Sequence, residues 1–309
     1  MQFEGLFFFF AVMYIGYLAP KLKLVSEEAV DVLPGALLNV CFPAMLLNSF
    51  SAASPQALLT TGLPTAVTAL IFSLLPFFLC RRLLRKREKN ERTLLCYYAG
   101  IGNISFVCVP LMRLFLSESN LLIVFFFAIV QDFLIWAVHH QIFLGNRPGA
   151  ARGVAVLRKV LLSPCLLAVI AGIVLCLCGV KLPAFLAYTT NALEAAVSPL
   201  SLLFVGMLAG RYGLFSWVRD RTAIVYSILR VLVYPAVVYF ILQFFMERST
   251  AVILALMCGG PAPFSGVVWC KQFDGSTVLA VHCVIPSTLL YLIAASGLLI
   301  VLTHGGVLS

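Results

Sequence analysis

Two stretches place glycine, proline and small polar residues in the middle of long apolar runs. The first is GIGNISFVCVP at residues 100–110, and the second is CGGPAPFSGVVWCK at residues 258–271. Proline removes a backbone donor and glycine lowers helix propensity, so neither stretch is expected to continue as a regular helix. The backbone groups freed in this way need partners, and irregular backbone within a membrane is found where it lines a cavity. Each stretch is therefore a candidate ligand site.

The chemistry expected at these breaks is reversible binding of an anion. Where a helix restarts after a break, its first amides are free and its dipole favours negative charge. Asn103, Ser105 and Ser265 add neutral hydrogen-bonding groups, which suit a ligand that has to leave again. Recapping of the broken backbone is the alternative role for Asn103. The predicted substrate site consists of Gly102, Asn103, Ser105, Pro110, Gly259, Gly260, Pro261, Pro263, Ser265 and Arg230.

Two charged residues fall well inside apolar segments. Arg230 costs about 2.5–3.5 kcal/mol at a helix centre on insertion scales, so it requires a partner. Its candidate partners are a substrate carboxylate, Asp132, or the carbonyl end of a broken helix. Asp132 and the adjacent Gln131 are interpreted as the residues that couple transport to an ion or proton, and the alternative role of Asp132 is the counter-charge to Arg230. Arg113 is explained by snorkelling to the membrane surface.

Other chemistry finds little support in the sequence. No HExxH, GxSxG or GxxxxGK[ST] motif occurs, so we expect neither an enzyme nor a nucleotide-driven machine. The ten cysteines lie in apolar runs without a CxxC pair, which favours buried thiols over a metal site. No cofactor is expected. The Gly206-x-x-x-Gly210 spacing predicts close packing of two helices.

The composition predicts an all-α polytopic membrane protein. Hydrophobic residues make up 62% of the 309 residues and charged residues 11%, far from the balance of a soluble domain. About ten segments have the roughly 20-residue length that crosses a bilayer. They are placed at 3–19, 30–50, 57–80, 93–116, 121–144, 161–179, 190–209, 222–245, 250–270 and 277–302.

The net charge of +9 is distributed as a topological signal, not as a nucleic-acid-binding surface. When loops are assigned alternately to two sides, nearly all Lys and Arg fall on one side, notably in 81–92 and 145–160. The opposite side has Lys181 and Arg248. The positive-inside rule then places both termini outside and the basic loops in the cytoplasm. We expect a plasma membrane protein.

Ten spans also suggest an internal repeat, because five spans per half give halves of opposite orientation. Pro43 in span 2 corresponds to Pro199 in span 7, and Pro110 in span 4 corresponds to Pro263 in span 9. We therefore predict an inverted five-plus-five arrangement, with residues 1–150 as the first repeat and residues 151–309 as the second.

Several phrases resemble the auxin efflux carrier family. They are NVCFPAMLLNSF, GIGNISFVCVPL, SPCLLAVIAGIVLCLCGVKLP, SPLSLLFVGMLAG and the stretch 259–273, and together they touch most of the chain. The resemblance implies ten helices in an inverted repeat, with spans 4 and 9 broken and crossing at the substrate site. The long hydrophilic loop of plant exporters is missing. Ala262 followed by Pro263 stands where many members have an asparagine after the span 9 proline.

The family includes plant auxin exporters and bacterial carriers for dicarboxylates, and the chain is identified with the malate/malonate-type branch. The function expected is secondary transport of a small organic anion by alternating access, coupled to a proton or sodium ion if coupled at all. A homodimer in the lipid bilayer is considered. The alternative is a passive anion channel or a receptor on the same scaffold. Saturable counterflow distinguishes a carrier from both.

Overall fold

The computed structural model describes residues 2–135 and 161–305, together with residues 138, 142, 143 and 158. Within these residues the regular elements are all helical. The predicted repeat boundary at residue 150 and most of the basic loop 145–160 lie outside the described residues. The helices are α1 (Gln2–Lys21), α2 (Glu27–Ala36), α3 (Phe42–Ala52), α4 (Pro55–Leu83), α5 (Lys89–Gly100), α6 (Val109–Met112), α7 (Glu118–Leu134), α8 (Pro164–Cys178), α9 (Ala184–Tyr212), α10 (Arg221–Ile228), α11 (Tyr234–Leu242), α12 (Arg248–Cys258), α13 (Ser265–Gln272) and α14 (Thr277–His304).

Among the residues that the structure describes, five helical stretches are long and apolar enough to cross a membrane. They are Val30–Ala52, Pro55–Leu83, Ala184–Tyr212, Arg221–Leu242 and Thr277–His304. A sixth candidate is the pair Lys89–Gly100 and Ile104–Met112, which bends by 46° at its break. The shorter apolar helices are Phe7–Lys21, Pro164–Cys178 and Arg248–Cys258. These bounds overlap predicted spans, whereas the count of ten spans and the inverted repeat stay predictions.

The outer surface of the molecule is apolar. Phe7, Leu59, Tyr188 and Phe245 each expose more than 70% of their surface, and many other large apolar side chains are exposed. A soluble monomer rarely exposes contiguous apolar area on this scale. The surface therefore fits a lipid environment and agrees with a polytopic membrane protein.

Three π-helical turns share one local cause. They cover Leu37–Cys41, Ile104–Cys108 and Leu229–Val233, and each is followed two residues later by a proline: Pro43, Pro110 or Pro235. A proline ring clashes with the carbonyl four residues earlier and cannot donate to it. A π turn widens the helix at this point and accommodates the misfit. The third turn contains Arg230 and so sets the direction of that side chain.

Glycine brings α1 and α9 into close backbone contact. A Cβ atom added at Gly206 would lie 2.0 Å from the Met13 carbonyl oxygen, and one at Gly210 would lie 2.4 Å from that of Tyr17. On α1, a Cβ atom at Gly16 would lie 2.2 Å from the Leu203 oxygen. The close packing predicted from the Gly206-x-x-x-Gly210 spacing is confirmed, because no larger residue fits at these positions.

The helices pack in two groups that draw on both halves of the chain. In one group α9 packs against α1 and α3, and α3 packs against α8. In the other, α4 packs against α5 and α7, α12 packs against α7 and α11, and α14 packs against α10 and α13. Both interrupted stretches belong to the second group, and the first group faces them through α9.

Candidate functional site

The two interruptions meet where the chain crosses itself. One break follows α5 and the other follows α12. The Asn103 amide donates a 2.7 Å hydrogen bond to the Pro261 carbonyl oxygen, which joins the breaks directly. A Cβ atom at Gly102 would lie 3.2 Å from the Gly260 Cα atom. Glycine at these positions therefore permits an approach that side chains would prevent.

Gln131 on α7 holds the first break open. Its side chain is buried, and its Oε1 atom accepts a 2.9 Å hydrogen bond from the Gly102 amide. Its Nε2 atom donates to Ser73 Oγ at 2.9 Å and to the Gly100 carbonyl at 3.4 Å. The amide side chain of Gln131 thus replaces a donor and an acceptor of the missing helical turn. In this structure its hydrogen bonds go to the backbone of the break and to Ser73.

Serine hydroxyls satisfy the second break. The Ala262 amide donates to Ser287 Oγ on α14 at 3.1 Å. The next residue, Pro263, has no amide hydrogen to satisfy. Ser265 Oγ lies 2.6 Å from the Tyr97 hydroxyl on α5, so the start of α13 is linked to the end of the other broken helix.

Arg230 binds the carbonyl ends of both broken helices. Its Nη1 atom donates to the Ala99 carbonyl at 2.6 Å, and its Nε atom donates to the Gly260 carbonyl at 3.0 Å. The guanidinium carbon lies 5.4 Å from the centre of the Tyr234 ring. Within the described residues no ion pair links Arg230 to Asp132. The sequence left three candidate partners for Arg230. In the structure its hydrogen bonds go to the carbonyl ends of the broken helices.

A cavity of about 570 Å³ lies on one side of the crossing, between the two groups of helices. Seven predicted site residues line it: Gly102, Asn103, Ser105, Gln131, Asp132, Pro263 and Ser265. Its remaining lining comes from Asp31, Pro34, Leu38, Ile104, Phe106, Ile135, Tyr212, Phe264, Val267, Val268, Trp269, Lys271 and Gln272. Most of this surface is apolar, as is usual for small-molecule sites, and a few polar groups are concentrated at the breaks.

Five predicted residues lie away from the cavity lining. Gly259, Gly260 and Pro261 form the back of the crossing, where their neighbours are the π turns and Arg230. Arg230 itself is only 4% exposed. Pro110 is buried in α6 behind its π turn. These residues shape the breaks, whereas the cavity lining includes residues that follow each break together with Gln131 and Asp132 of α7.

A family model described as a membrane transport protein matches residues 1–299. The chain belongs to this family of membrane transport proteins. A comparison with curated proteins gives no match. The match covers both helix groups, the crossing and the cavity, so the molecule is a multi-pass membrane transporter, and its family is a transporter family, not an enzyme family.

The transporter's cavity receives the beginnings of two helical segments. One begins at Ile104 and the other at Ser265, and both residues line the cavity. The dipole of a helix is positive at this end. In the segment that begins at Ser265, the Gly266 and Val267 amides already donate to the Pro263 and Phe264 carbonyls, so this end contributes mainly its dipole. Lys271 adds a cationic side chain to the lining. The opposite, carbonyl ends of the broken helices are bound by Arg230, so positive potential from the backbone is directed into the cavity.

Two carboxylates also line this cavity, and they differ in whether they form an ion pair. Asp31 forms a 2.8 Å ion pair with Arg211. Asp132 is mostly buried, and no ion pair joins it to another residue in the part of the chain that the structure describes. An unpaired intramembrane carboxylate that faces a cavity is a candidate proton carrier.

A polar cluster joins the two helix groups away from the crossing. Arg113 Nη2 lies 2.5 Å from Glu194 Oε1, which links α9 to the residue after α6. Asn48 donates to Glu194 Oε2 at 2.6 Å, and Thr190 donates to Asn48 Oδ1 at 2.6 Å. The snorkelling interpretation of Arg113 is therefore replaced by an ion pair between the two helix groups. A cavity of about 430 Å³ lies beside the cluster.

Sequence reasoning missed several residues that build the site. Tyr97, Ser73 and Ser287 satisfy polar groups of the breaks, and Asp31 on α2 and Tyr212 on α9 complete the cavity. A weak signal existed for the serines, because hydroxyls inside apolar helices form interhelical hydrogen bonds. Nothing in the local sequence distinguishes Tyr97 or Tyr212 from other aromatic residues of membrane helices.

Proposed function

We propose that this transporter is a secondary carrier for a small organic anion, with a dicarboxylate of the malate or malonate type as its substrate class. The observation that supports this most strongly is the convergence of two helix beginnings on one cavity. Each such end stabilises a nearby anion by about 0.3–1 kcal/mol, and by up to about 2 kcal/mol in partly buried geometry. Two ends suit a ligand that carries two carboxylates.

The neutral donors around the cavity fit the needs of a carrier. Asn103, Ser105 and Ser265 can donate to carboxylate oxygens and line the cavity next to the helix beginnings. A fixed ion pair with an arginine would hold the anion more strongly, and release would then be slow. Neutral donors and backbone amides give moderate affinity, which allows the substrate to leave after the conformational change.

Asp132 supports coupling to protons. An anion bound in the cavity would be repelled by an ionised carboxylate in the same lining. Binding of the anion and of a proton on Asp132 is therefore cooperative, and the two cross the membrane together. In this proposal Asp132 is the coupling residue, and Gln131 keeps the first break in the shape that the substrate requires.

The orientation proposed follows the positive-inside rule. The cavity is bordered by Asp31, which follows Lys21 and Lys23 in the sequence, and by Lys271. Close to Lys271 along the chain, the Asp274 carbonyl accepts a hydrogen bond from Asn90 of the basic segment 81–92. The polar cluster around Arg113 is proposed to close the opposite end. The conformation is therefore proposed to be open to the cytoplasm, with both termini outside the cell membrane. A single cysteine at Glu88, on a cysteine-depleted background, should resist impermeant thiol reagents in intact cells, and labelling from outside would reverse the orientation.

Counterflow in proteoliposomes tests the transport function. Vesicles loaded with unlabelled malate, malonate, citrate or indole-acetate are diluted into the labelled compound, and a carrier gives transient, saturable accumulation. A passive channel gives equilibration without accumulation, and a receptor gives neither. Absence of counterflow for every anion, with the protein folded, would refute the carrier proposal.

The Asn103→Ala variant locates the substrate. Loss of one hydrogen bond to a charged ligand costs about 1–2 kcal/mol, so its half-saturation concentration should rise roughly 5- to 30-fold. The matched control is Asn39→Ala, because Asn39 is exposed and donates to the Gly35 carbonyl of its own helix. Equal effects of the two substitutions would place the substrate elsewhere.

A further inference from the structure

The guanidinium group of Arg230 lies in a site made of backbone oxygens. Ala99 is in the last turn of α5, and Gly260 lies just beyond the end of α12. Both carbonyls accept hydrogen bonds from Arg230, at 2.6 and 3.0 Å. The side chain is buried from lipid and from the cavity, so it is not a surface cation that happens to touch a helix end.

These two carbonyl ends need a positive charge between them. A helix C-terminus carries a partial negative charge, and here two of them meet inside the protein. In membrane proteins with broken helices, unwound carbonyls and half-helix C-termini are the groups that coordinate monovalent cations. Without a cation the two ends would repel each other in a low-dielectric environment, and their carbonyls would be left unsatisfied.

The fit of the guanidinium indicates a built site. The Tyr234 ring lies 5.4 Å from the guanidinium carbon, and the Tyr234 hydroxyl is itself fixed by the Phe72 carbonyl. A Cβ atom at Gly102 would lie 3.2 Å from Nη2, which leaves little room for a second ion beside the side chain. Nη2 is buried without a hydrogen-bond partner within the described residues.

We propose that Arg230 is the resident cation of a cation site at the crossing, and that it occupies the place where a free monovalent cation would otherwise bind. Arg230 is thus a positioning residue that joins the two half-helices without touching the substrate. Two consequences follow. The crossing needs no sodium ion, and removal of the side chain should leave a vacant site that accepts a free guanidinium ion.

This proposal is tested without a transport measurement, so it is independent of the proposed substrate. The Arg230→Ala variant is purified in detergent and unfolded thermally in guanidinium chloride at millimolar, non-denaturing concentrations. Choline chloride at equal ionic strength and urea, a neutral molecule of similar shape, are the control solutes. We expect guanidinium alone to raise the Tm of this variant, by about 2–4 °C or more, with a saturating dependence on concentration.

The Arg230→Met variant is the matched control. Methionine removes the charge as alanine does, but its long side chain fills the volume that a free guanidinium ion would occupy. Guanidinium should therefore leave its Tm unchanged or lower it. Equal responses of the Ala and Met variants, or equal stabilisation by urea, would overturn the proposal.

Two further measurements decide the matter if the alanine variant does not fold. The Arg230→Lys variant keeps a cation and should be more stable than Arg230→Met, whereas equal stability or equal loss of both would show that the charge is not what the crossing requires. In the unmodified protein, replacement of sodium by choline at constant ionic strength should leave the Tm unchanged. A sodium-dependent rise in Tm would overturn the claim that the crossing needs no sodium ion.

Discussion

The replacement Gln131→Leu should show how much the Gln131 side chain stabilises the first break. Leucine has nearly the same volume and cannot form hydrogen bonds. The Gly102 amide would lose its 2.9 Å acceptor and the Gly100 carbonyl its 3.4 Å donor, while Ser73 would lose a 2.9 Å contact. The Ser73 hydroxyl can turn to a carbonyl of its own helix, but the Gly102 amide lies in an interrupted segment and has no such alternative.

The loss of stability in Gln131→Leu is the sum of these lost contacts. A buried donor left without a partner costs about 1–3 kcal/mol. Interhelical side-chain hydrogen bonds within membranes average about 0.6 kcal/mol. One orphaned amide, one weakened carbonyl and one lost serine contact therefore give a destabilisation of roughly 2–4 kcal/mol. For a chain of 309 residues this corresponds to a fall in Tm of roughly 3–6 °C.

Ser73→Ala is the control, because it removes only the hydrogen bond to Gln131 Nε2. We expect about 0.6 kcal/mol and little change in Tm. Hydrogen exchange should also differ, since the amides of residues 101–103 exchange faster in Gln131→Leu and remain protected in Ser73→Ala. Equal Tm values for the two variants, with equal exchange, would refute the conclusion that Gln131 holds the break open.

Three other predictions concern the carboxylate, the glycines and the distant ion pair. Asp132→Asn should abolish uptake driven by a pH gradient while counterflow persists, and continued response to the gradient would remove Asp132 from the coupling role. Gly206→Ala should destabilise the protein by about 1–3 kcal/mol, because its Cβ atom would lie 2.0 Å from the Met13 oxygen. Gly297→Ala is the neutral control in the same unfolding assay, because no atom lies within 4 Å of a Cβ atom at Gly297. A double-mutant cycle of Arg113→Ala and Glu194→Ala should give a coupling energy of about 1 kcal/mol or more, since both side chains are mostly buried, and additive effects would contradict the ion pair.

The positions of the breaks could be predicted from the sequence because their cause is local. Proline and glycine act on the backbone at their own positions. The sequences of residues 100–110 and 258–271 therefore predict an interrupted helix without knowledge of their surroundings. The same holds for Gly206 and Gly210, whose spacing on one helix face predicts close approach before the partner is known. The partner, α1, was visible only in the structure.

The assignment of roles within the site depended on contacts that no local pattern specifies. Arg230 had three partners of comparable chemistry, and the packing of its π turn beside α5 and α12 decides among them. The sequence predicts that Gly259 belongs to a ligand site, and in the structure a Cβ atom there would lie 2.8 Å from Pro235 Cγ. This glycine is required by helix packing, because a proline ring occupies the adjoining space.

The contact between α1 and α9 has a consequence for synthesis of the chain in the cell. Gly16 meets Leu203, a residue about 190 positions later in the sequence. At about 5–20 residues per second, roughly 10–40 s pass between the emergence of the two surfaces from the ribosome. During this interval α1 lacks the α9 surface against which its backbone packs in the folded protein. We therefore expect the insertion machinery to chaperone the first helix. We also expect truncated chains that end before residue 184 to aggregate.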